Sequence, residues 1–321
     1  MKLEEEINQL EKSVKQLELE QKEHYSINKE VDEYLFDFLN SLASKKGFEN
    51  DFSNSELIFK KKINANGYPL NEILSLFDKA VNSNGIQPAS GSHLGYIPGG
   101  GIPIAAYGDL IAAMTNKYSG VYYANPGAIN IENHLLNWCA EAFDFDTINY
   151  GGNLTTGGSI ANLISIVAAR DKHQIKGKNY EQTVIYGSEQ MHHSLHKAIR
   201  ISGLEECIFR KIPLDKSFHI NTSILKKQIE KDITNDLNPF LIIASAGTTD
   251  TGVIDDLDQL SMLAQKNNCW LHVDAAYGGF FYLLDQQKIK FKGIEKADSL
   301  VIDPHKGLFM PYGSGVVLIK D

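Results

Sequence analysis

Short apolar runs alternate with amphipathic stretches through the second half of the chain. The runs fall at 183–186, 207–212, 240–245, 270–273 and 299–302, each of strand length. Before and between them, 160–170, 194–201, 222–229 and 257–266 carry apolar residues at helical spacing. Strands alternating with helices of this size predict βαβ units and a mostly parallel sheet covered on both faces. Phe240-Leu241-Ile242-Ile243 has no polar member, as a strand buried on both sides requires. The pattern predicts an α/β fold.

The first half reads differently. Leu3, Ile7, Leu10, Val14 and Leu17 form a stripe at spacings of 4, 3, 4 and 3 in a segment rich in Glu, Lys and Gln. Barely two and a half heptads is short for an autonomous coiled coil. The stripe therefore predicts an amphipathic arm lying on its own domain or on a sister subunit. Val31, Leu35, Phe38, Leu39 and Leu42 mark a second helical face, 50–54 a loop, and 70–81 a further helix. From 85 to 130, Gly and Pro crowd a stretch with His93, Tyr96, Tyr122, Tyr123 and Asn125, which reads as loops rimming a small-molecule pocket. The expected division is a helical arm over 1–84 and a large α/β domain over 85–321.

Composition narrows the function. At 43% hydrophobic and 22% charged, the 321 residues belong to a folded globular protein, which excludes disordered and collagen-like classes. A net charge of −9 argues against a nucleic-acid partner, whose phosphates call for clustered Lys and Arg. Cys139, Cys207 and Cys269 are too far apart for a zinc knuckle or a disulfide framework, so no metal site is expected and a reducing, cytoplasmic setting is. The acidic start has no apolar segment behind it, and no run approaches the ~20 apolar residues that span a bilayer, so no membrane association is expected.

The motifs point to chemistry only together. Thr155-Thr156-Gly157-Gly158-Ser159 runs into an apolar helix, which makes either a phosphate-sized anion site or a plain helix cap. The Gly spacing from Gly152 is that of a P-loop, but Gly158 stands where the Lys belongs. Asp274 ends an apolar strand, where a carboxylate serves a metal, a ribose hydroxyl or a protonated ring nitrogen, or caps a helix. Lys306 follows a strand directly, so its amine is either a partly desolvated nucleophile or an exposed loop charge. His192 opens a helix past another strand and either stacks on a flat ligand or caps its own backbone. A phosphate loop, a stacking imidazole, a buried carboxylate and a strand-end lysine in one domain are the requirements of pyridoxal phosphate.

Ser-Glu-Gln-Met-His at 188–192, Gly-Thr-Thr at 247–249, His-Val-Asp-Ala-Ala-Tyr at 272–277 and Asp-Pro-His-Lys at 303–306 resemble the group II pyridoxal-phosphate decarboxylases, over roughly residues 50–321. The resemblance implies the aspartate-aminotransferase-like fold with a seven-stranded sheet, a homodimer, and decarboxylation of an L-amino acid through a Lys306 aldimine and a quinonoid intermediate. It makes Lys306, Asp274 and His192 the catalytic residues and Asp274 the partner of the ring nitrogen. Gly158, Ser159 and His305 fall at the phosphate, Thr249 near the cofactor, and Tyr96, Ile97 and Pro98 in the substrate pocket. Gly307 stands where aromatic-substrate members often carry Trp, so an aromatic substrate is not implied, and Gly99 replaces a hydroxyl residue found in some of them. The chain stops 15 residues past Lys306, before the mobile loop and small C-terminal domain of such enzymes. A carbon–carbon lyase, an aminotransferase, or a catalytically poor cofactor-binding remnant are the alternative expectations.

Overall fold

A computed structural model describes all residues except 1, 15–17, 96, 98, 146 and 321. The chain divides into two compact units, 1–100 and 101–321.

In the first unit, Lys2–Val14 and Gln21–Ser41 are helices. Leu3, Ile7, Leu10 and Val14 form the expected stripe on the first, and all four are exposed; Leu17 lies outside the described residues. Glu20 and Glu23 make a reciprocal capping box that starts the second helix. The helix expected over 70–81 spans Leu70–Phe77 and then widens into a π turn, Asp78–Asn82. Tyr34 anchors that turn, donating its hydroxyl to Asp78 and packing edge-on against Phe77. Phe48–Glu49 and Gly85–Ile86 pair as a minimal antiparallel ladder.

The second unit opens with α1 (Pro103–Thr115) and α2 (Pro126–Ala142). Both lie wholly or partly in the stretch expected to be loops, and each corrects that expectation. Their prolines sit in the first turn, where no N–H is needed, so they start helices rather than break them. Asn125 caps α2 by accepting from the Ala128 amide at 3.2 Å.

There follow β1 (Tyr150–Thr155), α3 (Gly158–Lys172), β2 (Thr183–Ser188), α4 (His193–Ile201), β3 (Ile208–Ile212), α5 (Thr222–Thr234), β4 (Asn238–Ser245), α6 (Leu257–Lys266), β5 (Trp270–Asp274), β6 (Ser299–Ile302) and β7 (Gly315–Lys320). The seven strands form one sheet in the order β1-β7-β6-β5-β4-β2-β3. Pairing is parallel from β6 through β5, β4 and β2 to β3, while β7 is antiparallel to both of its neighbours. The fold is therefore the α/β class with a mostly parallel sheet.

Alternate strand residues feed opposite faces. Tyr186, Ile242, Val273 and Leu300 pack with Leu136 of α2, Leu225 and Ile229 of α5, and Leu260 of α6. Ile185, Leu241, Ile243 and Trp270 pack with Ile166 of α3 and Leu195 and Ala198 of α4. Two covered faces explain why the central strands carry continuous apolar runs. Asp232 of α5, fully buried, holds the far edge by accepting from Tyr186, Arg210 and Gln228. The cysteines are all buried and free, their thiols pushed up by burial to about 12 for Cys139 and Cys269 and about 11 for Cys207. Among the described residues no helix is long and apolar enough to cross a membrane.

Candidate active site

Strand direction gathers the polar groups. Since β7 is antiparallel to both β1 and β6, those two strands run the same way as the parallel set. Their carboxyl ends share one edge, where open α/β sheets bind ligands. Thr155 ends β1 before the Gly157-Gly158 turn, Ser188 ends β2 ahead of His192, Asp274 ends β5, and Ile302 ends β6 ahead of Asp303 and Lys306. Ser314 and Gly315 enter the same edge because β7 starts there.

Lys306 sits on a single helical turn, Pro304–Gly307, with Asp303 at the N-cap position. Its Nζ lies 3.0 Å from Asp303 Oδ2, so the amine is held by an ion pair as well as by partial burial. Asp303 is 1% exposed, and its other oxygen, Oδ1, is buried without a hydrogen-bond partner among the described residues. Burial pushes the Asp303 carboxyl up and nearby Asp274 adds to that, while Lys306 and His305 pull it down. His305 is buried and turns Nδ1 to the Ser314 carbonyl, which can only accept, so that nitrogen carries a proton.

His192 is the N-cap of α4: its Nδ1 accepts from the Ser194 amide at 3.3 Å and from the Ser194 hydroxyl at 2.7 Å. The capping alternative is thus what the backbone shows, and the cap fixes the ring plane. Burial lowers the His192 pKa, against the pull of Asp274 and with the push of His193 and Lys306, so the ring is neutral at neutral pH. Asp274 is 7% exposed and accepts from the Ala276 amide and, on its other oxygen, from Asn162 Nδ2, both at 3.1 Å.

The turn between β1 and α3 leads into the N-terminus of α3. Gly157 adopts φ +110°, which side chains rarely tolerate. A Cβ on Gly158 would come 2.9 and 3.1 Å from the Asp303 oxygens, so a larger residue would press on that carboxylate. Ser314 Oγ is buried and unpartnered, a spare hydroxyl in the same neighbourhood as His305. The helix N-terminus, these spare polar atoms, the amine of Lys306 and the carboxylate of Asp274 fit a group with a phosphate, an aldehyde and a ring nitrogen.

The structure therefore brings Lys306, Asp274, His192, Gly158, Ser159 and His305 to one edge of the sheet. Thr249 lies exposed in the turn after β4; its neighbour Thr248 is the buried one, bonded to Thr251 at 2.7 Å. Ile97 belongs to the first unit and is half-exposed, and Tyr96 and Pro98 lie outside the described residues. At Gly307, a Cβ would come 2.8 Å from Phe280 Cβ, so the position has no room for Trp. Sequence reasoning left out Asp303, Ser314 and Asn162. Asn162 had a readable signal: it falls on the helical face of Ala161, Ser165, Ile166 and Ala169, a polar residue among buried ones.

Residues 69–321 match the pyridoxal-dependent decarboxylase conserved domain. An aromatic-L-amino-acid decarboxylase of Bacillus atrophaeus is 33% identical over 310 residues, covering 95% of this chain and 63% of that protein. A tyrosine decarboxylase of Narcissus pseudonarcissus is 30% identical over 241 residues, 72% of this chain and 48% of its own length. The chain thus spans about half to two-thirds of these relatives. Among solved structures, a Rhodiola rosea 4-hydroxyphenylacetaldehyde synthase superposes with a TM-score of 0.86 at 23% identity, covering 94% of this chain and 67% of that one. An Oryza sativa TDC solved with PLP gives 0.86 over 95% and 68%. At that identity the likeness is one of fold.

Proposed function

The chain belongs to the pyridoxal-dependent decarboxylase family, and from that premise we propose that it releases carbon dioxide from an L-amino acid with pyridoxal phosphate as cofactor. The observation that carries the reading is the convergence of Lys306, Asp274, His192 and the bare Gly158 turn on one sheet edge. When bound, pyridoxal phosphate supplies a sink for the electron pair that departing carbon dioxide leaves behind. Lys306 would hold its aldehyde carbon, releasing Asp303 from the ion pair. Asp274 would face the ring nitrogen, His192 would lie against the ring, and the amides of Gly158 and Ser159 would hold the phosphate beside His305. Thr249 would bring a hydroxyl near the cofactor. His192 keeps Nδ1 occupied by the Ser194 cap, so any proton it exchanges at the site moves at Nε2.

We infer a homodimer and a cytoplasmic setting. Ile104, Tyr107, Leu110, Ile111 and Met114 of α1 are all exposed, an apolar surface that a second copy would cover. Three free buried thiols accord with a reducing compartment. The substrate side stays at the level of an amino acid: the Bacillus relative is named for aromatic substrates, while Gly307 has no space for Trp.

The test loads the protein with pyridoxal phosphate, reduces it with borohydride and maps the attached peptide. Attachment at Lys306, lost in Lys306→Ala together with the visible absorption band, supports the reading; attachment at another lysine refutes it. A panel of aromatic, acidic and diamino L-amino acids then separates activities. Carbon dioxide with the matching amine marks a decarboxylase, an oxo acid marks an aminotransferase, and an aldehyde marks a carbon–carbon lyase or an aldehyde synthase.

A further inference from the structure

Behind Asp274 lies a buried chain of polar side chains that the proposed chemistry does not use. It begins at Trp270, whose Nε1 lies 2.8 Å from Ser299 Oγ. Ser299 Oγ is 2.9 Å from His272 Nδ1, and His272 Nε2 is 3.0 Å from Asn162 Oδ1. Asn162 Nδ2 then reaches both Asp274 Oδ2 and Ser194 Oγ, each at 3.1 Å. Ser194 continues to His192. All of these except His192 are buried.

The direction of every hydrogen bond follows from its ends. Asp274 accepts from Asn162, which turns the Asn162 nitrogen toward it and leaves Oδ1 to accept from His272 Nε2; His272 Nδ1 then accepts from Ser299, which itself accepts from the Trp270 indole. Burial pushes His272 down to about 4, so the ring is neutral and its one proton sits on Nε2. That proton goes to Asn162 Oδ1, which leaves the Asn162 amide nitrogen facing Asp274. A flipped amide would set two donors together at His272 and two acceptors together at Asp274. The carboxylate of Asp274 therefore selects the orientation, and the Trp270 end is compatible with it.

We propose that Asn162 is a positioning residue of the site, its amide held between His272 on one side and Asp274 and Ser194 on the other so that it keeps the Asp274 carboxylate and the His192 cap in fixed relation. This rests on Asp274 being the partner of the cofactor's ring nitrogen. The charge-assisted bond from Asn162 orients that carboxylate while leaving its charge intact. The other titratable groups near Asp274 are His272, His192 and Asp303, and they are common to wild type and every variant below.

The test measures pyridoxal phosphate dissociation constants against pH for wild type, Asn162→Leu and Asn162→Asp. Asn162→Leu should bind about tenfold more weakly throughout, the effect of losing one hydrogen bond to a charged group. Asn162→Asp should bind weakly at high pH, where two carboxylates repel, and recover as pH falls and the new carboxyl, once protonated, donates a hydrogen bond to Asp274. A purely structural role predicts no such recovery, and Asn162→Asp suffices if the leucine variant fails to fold. Asn162→Leu within twofold of wild type, or Asn162→Asp without recovery, overturns the proposal. In cofactor-free protein, proton spectra should show the His192 ring resonances displaced in Asn162→Leu relative to wild type, because the Ser194 hydroxyl that caps the ring loses its Asn162 partner. Identical spectra overturn the positioning role even if no cofactor binds, whereas a clear difference in protein that takes up no cofactor overturns only the functional reading.

Discussion

Replacing His272 by Gln should flatten the acid sensitivity of folding. His272 is 0% exposed and its pKa falls from 6.5 to about 4 through burial, with Asp274 only partly opposing. Below pH 6.5 the unfolded chain binds a proton at this residue that the folded chain refuses until about pH 4. The unfolded state therefore holds more protons in that window, and stability drops as pH falls through it. The slope is about 1.4 kcal/mol per pH unit, and the whole window contributes about 3 kcal/mol. His173, also lowered by burial, adds in the same direction. Asp255, Asp298 and Asp303, raised by burial, act in the opposite sense because they bind protons more readily when folded. The difference between wild type and His272→Gln isolates the histidine. Gln keeps an N–H for Asn162 but has nothing to titrate. Urea denaturation across the window, read as midpoint against pH, should show a steeper acid loss in wild type. Parallel curves would refute the claim that His272 is kept neutral by the fold.

Gly158→Ala should weaken pyridoxal phosphate binding at least about tenfold by setting a methyl group against Asp303, while Gly151→Ala, whose Cβ meets nothing within 4 Å, should leave it unchanged; equal effects would remove the cradle from the argument. Asp232→Ala leaves the buried Tyr186 hydroxyl and the Arg210 guanidinium without their acceptor, and should cost about 2–4 kcal/mol in chemical denaturation. Leu110→Lys on the exposed face of α1 should lower the dimer fraction in sedimentation velocity, and an unchanged dimer would show that this face is not the interface.

The sequence was most readable where burial was most complete. β6 and α6 have the boundaries their periodicity gives, and β4 lies within two residues of its own, because strands covered on both faces have no polar positions to blur the run. β1 escaped because Tyr-Gly-Gly-Asn-Leu-Thr has no apolar run and reads as the approach to a turn. β7 had a legible signal in Val316-Val317-Leu318-Ile319, four apolar residues that went unassigned. At the site, Lys306 and Asp274 stood out because charges directly after apolar strands are conspicuous. Asp303 lay inside a quoted motif, but its ion pair with Lys306 depends on the turn that Pro304 opens. Ser314 and Asn162 could not be placed beside these groups without the strand order, since more than a hundred residues separate Asn162 from Asp274.

That strand order also sets a timetable. β1 pairs with one strand alone, β7, through a register running from Tyr150 against Lys320 to Thr155 against Gly315. A chain emerging from the ribosome therefore carries β1 unpaired until residue 320 has been made, while β2 through β6 can already associate. Loops this long close slowly, since their entropy is lost before any contact rewards it. The Gly157-Gly158 turn hangs from the end of β1, so the cradle proposed for the cofactor's phosphate takes shape at the final closing of the sheet. Pyridoxal phosphate added to a ribosome-bound nascent chain should find the lysine made before the cradle is ready for it.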